Sequence, residues 1–182
     1  MRYVLLLIVL SYLVSGDVVI SQVLYDPVGS ESGGEAVELK NTGISPVDVS
    51  GWVLATLSSS SDATLPKDAV IPAGSSYLIA DKGWNVSRDN FDWRLADFEE
   101  AITLSNSDGG VALIANGKVV DAVGWGDIEG IEEGLFEGSP AVDVGNGKSL
   151  FRLKDTGDNS VDFVESDADF LAGFFCSCFC KC

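Results

Sequence analysis

The sequence contains no histidine, and this absence excludes several classes of catalytic chemistry. A Ser-His-Asp triad, a Cys-His pair and a His-ligated zinc site all need an imidazole ring. The four cysteines, Cys176, Cys178, Cys180 and Cys182, all lie in the last seven residues. The rest of the chain therefore has neither a thiol nucleophile nor an internal disulfide.

Positive charge is also scarce in this chain. It has 11 Lys and Arg against 28 Asp and Glu, which gives a net charge of −17 at pH 7. Proteins that bind nucleic acid neutralise phosphates with clustered Lys and Arg, so the composition argues against a nucleic-acid partner. The length of 182 residues suits one domain with short appendages.

The N-terminus has the pattern of an export signal. Arg2 precedes an apolar run over residues 4–14, and small residues follow it, as in a secretory signal peptide. The run is shorter than the roughly 20 residues that span a bilayer, although an uncleaved anchor is the alternative. We expect residues 1–16 to be a signal peptide, the mature chain to begin at Asp17, and the protein to be secreted or held at the cell surface.

After the signal, short segments with a two-residue period predict strands. They are rich in β-branched and aromatic residues and are bounded by Gly, Pro, Asn, Asp or Ser. Nine such segments stand at residues 18–24, 36–41, 52–57, 77–80, 102–105, 111–115, 119–124, 149–153 and 162–164. Many short strands without intervening helices are typical of an all-β sandwich or barrel.

Three local patterns refine this prediction. Asn116-Gly117 predicts a type I′ hairpin turn, because both residues tolerate positive φ. Residues 90–101 have apolar side chains at helical spacing, which predicts one or two helical turns over an open end of the sandwich. The serine run at residues 58–61 is interpreted as a surface loop.

Several motifs, in order along the chain, resemble the lamin-tail domain family. They are ISQVLYDP at 20–27, GGEAVELKN at 33–41, PVDVSGWVL at 46–54, AGSSYLIAD at 73–81, LSNSDGGVAL at 104–113, KVVDAVGWGD at 118–127, GKSLFR at 147–152 and DNSVDF at 158–163. The resemblance covers about residues 18–166. It implies an immunoglobulin-like β-sandwich, although the partners of nuclear lamins belong to another compartment and do not transfer.

We therefore expect a lamin-tail-like sandwich over residues 17–166 and a Cys-rich tail over residues 167–182. The alternating cysteines do not have the spacing of structural zinc sites. They could bind a soft metal, form disulfides with a partner, or have no selected role in a truncated end.

The tryptophans and their neighbours indicate the core. We expect Trp52 to fill the space between the sheets together with Leu54, Leu39 and Val37, and Trp125 to pack in the core or at its rim. Trp84 and Trp93 lie in a loop rich in Asp and Arg. They fit either an exposed aromatic surface or lids over the end of the sandwich.

The acidic residues raise the question of a metal site. Asp127 and Glu133 lie in one acidic stretch, and Asp155, Asp158 and Asp162 lie in another. Oxygen-rich loops of this kind can bind calcium, but neither stretch has EF-hand spacing. We therefore expect these carboxylates to cap turns, with calcium as the weaker alternative and no cofactor.

The function implied is that of an exported, non-enzymatic binding or structural module at the cell exterior. Its partner would be another protein, a cell-envelope polymer or a cation. The main alternative is an accessory module that acts in trans with a secreted hydrolase, and a small hydrolase is a third. Asn85-Val86-Ser87 matches a glycosylation sequon on an exported loop.

Overall fold

The computed structural model describes residues 18–171. The expected signal peptide at residues 1–16 and the cysteines of the tail lie outside the described residues. Twelve strands form in this range: β1 (Val18–Leu24), β2 (Ala36–Asn41), β3 (Val47–Asp48), β4 (Val53–Thr56), β5 (Ser59–Thr64), β6 (Val70–Ile71), β7 (Ser76–Asp81), β8 (Phe98–Glu100), β9 (Gly109–Ala115), β10 (Lys118–Trp125), β11 (Lys148–Arg152) and β12 (Phe163–Asp167). Two single turns of helix, α1 (Trp84–Ser87) and α2 (Asn159–Asp162), and a 3₁₀ turn (Ile128–Gly130) complete the set.

The strands form two packed sheets, and the fold is an all-β, immunoglobulin-like sandwich, as predicted. One sheet has six strands in the order β12-β11-β1-β2-β7-β8, and the other has four in the order β10-β9-β4-β5. All neighbours run antiparallel except β7 and β8, which are parallel. β3 and β6 make a separate two-stranded ribbon.

The space between the sheets holds the main core. Val37, Leu39 and Leu54 are fully buried there, because alternate residues of a strand point to the same face. Trp52, which we expected to fill the same space, is only half-buried and packs against this core as a partly buried residue. It lies in a turn ahead of β4, where its amide donates to the Val49 carbonyl.

Trp125 has no exposed surface and lies inside the sandwich. Its ring stacks on Tyr25 with the ring centres 4.4 Å apart, and its indole nitrogen donates to the Ser105 carbonyl at 2.9 Å. The sequence left Trp125 between core and rim, and the structure places it in the core.

A second core lies on the outer face of the six-stranded sheet. We call its three rings, Trp84, Trp93 and Phe170, the aromatic cluster. Trp84 has no exposed surface, stacks against Trp93 at 5.6 Å, and meets the edge of Phe170 at 5.4 Å. Of the two alternatives for Trp84, an exposed aromatic surface is wrong, because the ring is buried. The chain folds back over the sheet, so Leu24 and Leu78 cover the ring from below.

The aromatic cluster also extends the folded unit past residue 166, where we expected it to end. Phe170 is fully buried, and its carbonyl accepts a hydrogen bond from the Arg94 amide at 2.8 Å. The chain from Ala168 to Phe170 therefore crosses the sheet as part of the fold.

Three local predictions were wrong. The helical turn lies at Trp84–Ser87 and not over residues 90–101, where Phe91 and Leu95 are exposed and Phe98 lies on β8 and packs on the main core. Residues 102–105 are extended but pair with no strand. Ser59, Ser60 and Ser61 of the serine run belong to β5, an edge strand in which only Ala63 is buried, so its sequence shows no apolar alternation.

Candidate interaction surface

The second acidic stretch stabilises a turn. Asp158 caps α2 and accepts hydrogen bonds from the Ser160 amide and hydroxyl. Asp162 is buried and accepts from the amide and hydroxyl of Thr156, each at 2.7 Å. Burial alone would raise the pKa of Asp162, but these hydrogen bonds outweigh it and hold the pKa below its usual value. Asp155 pairs with Arg152 at 3.1 Å.

The first acidic stretch is open to solvent. Asp127 caps the 3₁₀ turn by accepting from the Glu129 amide, and Glu133 is exposed. Within residues 18–171, no three His, Cys, Asp or Glu side chains come together in a group that could hold a metal ion. The structure thus gives the capping residues a structural role and leaves Glu133 on the surface.

The sequon lies on α1. Asn85 is exposed, and its side-chain oxygen accepts a hydrogen bond from the Ala96 amide at 3.1 Å. Glycosylation of Asn85 stays a prediction.

Three carboxylates that the sequence did not single out hold the connection between β8 and β9. The consecutive amides of residues 102, 103 and 104 donate to Asp81, Asp62 and Glu35 at 3.3, 2.9 and 3.0 Å, respectively. Burial raises the pKa of Glu35 to about 8, and the charges of Asp81, Glu31 and Asp62 add to the rise. This carboxylate clasp ties one sheet to the other, and Glu35 is its member with a raised pKa.

A second link between the two sheets is a buried ion pair between Asp121 on β10 and Arg152 on β11. The Arg152 guanidinium donates to both carboxylate oxygens of Asp121, at 2.6 and 2.7 Å, and both side chains are about 5% exposed or less. Arg152 also donates to the Ile20 carbonyl, and its guanidinium lies 4.5 Å from the centre of the Phe163 ring. Burial raises the pKa of Asp121, while the neighbouring guanidinium opposes the rise.

The outer face of the four-stranded sheet carries an apolar row that the described chain covers only in part. Val53 on β4 lies directly opposite Ile114 on β9, which lies opposite Val119 on β10. Leu54 and Leu113 point into the core, so the strand alternation places this row on the outer face. Val119 is 52% exposed, and Val53 and Ile114 are half-buried. We call these three residues the outer stripe.

The other half of this face is covered by residues 131–136. Ile131 and Leu135 pack on a floor of small residues, Ala55, Ala112 and Ala122. Two glycines permit this close approach. A Cβ on Gly110 would lie 2.4 Å from the Leu135 carbonyl oxygen, and one on Gly124 would lie 2.5 Å from the Cβ of Phe136.

A groove of about 370 Å³ lies between the covered half and the outer stripe. Its lining includes the apolar side chains of Leu57, Ile114 and Val119 and the carboxylates of Glu132 and Glu133. Hydroxyl side chains at the turn between β4 and β5, those of Thr56, Ser58, Ser59 and Ser60, also line it. Both glutamates are exposed, so the groove combines apolar, hydroxyl and acidic groups.

Backbone hydrogen bonding within the sheet does not require the residues of the outer stripe to be apolar. β-branched residues suit strands wherever they pack on a half-buried surface, yet no segment of the described chain covers Val119. An exposed apolar surface beside polar residues commonly marks a contact site. The outer stripe and groove are the strongest candidate for one here.

Comparisons with known proteins agree with the fold. A model of the Lamin Tail Domain family matches residues 14–127, a range that includes the strands of both the clasp and the outer stripe. Neither the curated proteins nor the solved structures gave a match. No helix within residues 18–171 is long and apolar enough to cross a membrane. The family is an immunoglobulin-like, non-catalytic one, which is compatible with protein binding. The chain belongs to the Lamin Tail Domain family.

Proposed function

We propose that the protein is an exported, non-enzymatic binding module that contacts another macromolecule at the cell exterior through the outer stripe and groove. The observation that carries the proposal is the register of Val53, Ile114 and Val119 across three strands. This row continues the sheet's apolar outer face beyond the segment that covers its other half. Leaving it in water costs free energy that a partner would recover.

Export is supported by the sequence of residues 1–16, which has the order of a secretory signal. N-terminal sequencing of the protein purified from its native host should find Asp17 as the first residue. Recovery of an intact Met1 would contradict cleavage.

To test whether the outer stripe binds a partner, we would measure how much of the mature chain is retained by the host's envelope and secreted fractions. Val119→Thr keeps a β-branched side chain but adds a hydroxyl to the outer stripe, so it should reduce retention. The matched control is Val164→Thr on β12, because Val164 is also exposed, at 37%, but lies on the other sheet.

Equal retention of the two variants would contradict a role for the outer stripe. A secreted hydrolase recovered only with the wild-type chain and the control would favour the accessory-module alternative. Hydrolase activity should then be measured with and without added protein, because an accessory module raises it in trans.

A further inference from the structure

Resting on the proposed function, we infer that the outer stripe and groove bind a basic amphipathic segment of a partner protein. The occupant must satisfy two kinds of surface at once. The outer stripe offers apolar side chains in a straight row, and the groove beside it offers carboxylates. A segment with apolar residues on one face and Lys or Arg next to them matches both.

The apolar contact determines where the segment lies. Val119 is the most exposed member of the outer stripe, and Leu57 extends the apolar surface into the groove. Amphipathic segments commonly place an apolar face in such a groove, with anchor residues three and four positions apart. Residues 131–136 already pack on the neighbouring alanines, and Ala55, Ala112 and Leu135 form the edge of the groove on that side.

The charge of the surroundings determines which segment binds. Between residues 119 and 147 the chain has seven Asp and Glu and no Lys or Arg. Of these, Glu132 and Glu133 line the groove, and Asp127 and Glu129 are exposed in the preceding turn. Across an interface, complementary charge guides encounter and excludes like-charged partners.

The same charge argues against a second copy of this chain as the occupant. Each copy carries a net charge of −17, so two copies docked by this face would bring two acidic rims together. An uncharged polymer would use the outer stripe but not the glutamates. The carboxylates therefore favour a basic protein segment over both.

The inference is tested by calorimetric titration of the mature chain with a short helical peptide of leucine and lysine. Its leucines are spaced three and four residues apart, so that they form one face. Two further peptides replace every lysine with glutamine or with glutamate. We expect the lysine peptide to bind, the glutamine peptide to bind more weakly, and the glutamate peptide not to bind. Added salt should weaken the binding of the lysine peptide, since exposed charges are screened over ~8 Å at physiological ionic strength.

Variants of the chain separate the two kinds of contact. The double variant Glu132→Gln with Glu133→Gln should bind the lysine peptide with an affinity about threefold to tenfold lower, the range expected for two partly exposed ion pairs. The control, Asp68→Asn with Asp92→Asn, makes the same change in net charge at two exposed sites elsewhere. It should leave the affinity within about twofold. Thermal melts should show that both double variants are folded.

Two outcomes would overturn the inference in distinguishable ways. If Val119→Thr weakens binding while the glutamate variant behaves like its control, the partner is not basic, although the proposed surface stands. If neither Val119→Thr nor the glutamate variant weakens binding, the outer stripe is not the site, and the proposed function fails with the inference.

Discussion

Replacing Trp84 with alanine should destabilise the protein more than any other single tryptophan change outside the central core. The indole has no exposed surface. It contacts both other rings of the aromatic cluster, and its nitrogen donates to the Arg94 carbonyl at 3.1 Å. The change would therefore leave a cavity between this segment and the sheet.

The size of the effect follows from these contacts. Removal of a buried Trp side chain costs about 3–5 kcal/mol, and the loss of two aromatic pairs places Trp84 in the upper part of this range. We therefore expect Trp84→Ala to lower the free energy of unfolding by about 4–5 kcal/mol. Trp52 is only half-buried, so Trp52→Ala should cost about 1–2 kcal/mol.

The assay is equilibrium unfolding of the mature chain in urea, followed by far-ultraviolet circular dichroism. The slope against urea should stay constant between the variants, since a changed slope would signal a lost two-state transition. A smaller loss for Trp84→Ala than for Trp52→Ala would refute the reasoning. It would mean that the aromatic cluster opens separately from the sandwich.

Three further changes test the clasp, the buried ion pair and the C-terminal boundary. The folded pKa of Glu35, about 8, lies above its ordinary 4.5, so its contribution to stability is complete below pH 4.5 and is lost as pH rises through 8. Glu35→Gln should reduce the loss of stability between pH 4.5 and 8 in melts taken across this range. The same dependence of stability on pH in the variant and the wild type would contradict a raised pKa of Glu35. Arg152→Met leaves the buried Asp121 carboxylate unpaired and should cost about 3–5 kcal/mol in urea melts, whereas a loss below about 1 kcal/mol would show the pair to be solvated. A chain ending at residue 171 should melt like the mature chain, but one ending at 166 lacks Phe170 and should lose about 3 kcal/mol; equal melts would place Phe170 outside the fold.

The strands that the sequence predicted well are those whose own residues carry the pattern. β1 and β2 have the predicted bounds, because β-branched alternation and flanking Gly or Asp are local signals. The hairpin at Asn116-Gly117 is also confirmed, with φ of 52° and 73°. These are the positive values that a type I′ turn needs.

The parts that the sequence missed depend on contacts between distant segments. Trp84 lies in a polar loop of the sequence, and only the return of the chain at Phe170 encloses it. β5 is polar because one edge strand needs few apolar residues. Residues 102–105 look like a strand, yet their amides donate to carboxylates.

The sequence did not reveal the outer stripe and groove, because their exposure also depends on how distant segments pack. The sequence singled out Glu133 as an acid but only as a weak metal ligand. Val119 and Ile114 looked like ordinary strand residues, because period-two alternation does not say which face of a sheet is covered. Only the position of residues 131–136 over the neighbouring half of the sheet shows that Val119 remains exposed and Ile114 only half-buried.

Photo-crosslinking in the native host tests most directly whether the outer stripe is the contact surface. A photo-reactive amino acid is placed at Val119 in one version of the full chain and at Val164 in another, which lies on the outer strand β12 of the other sheet. We expect adducts from position 119, outside the cytoplasm, with crosslinked peptides that are rich in Lys or Arg beside apolar residues, and few adducts from position 164. Equal adducts from both positions, or none from position 119, would contradict the outer stripe as the contact surface.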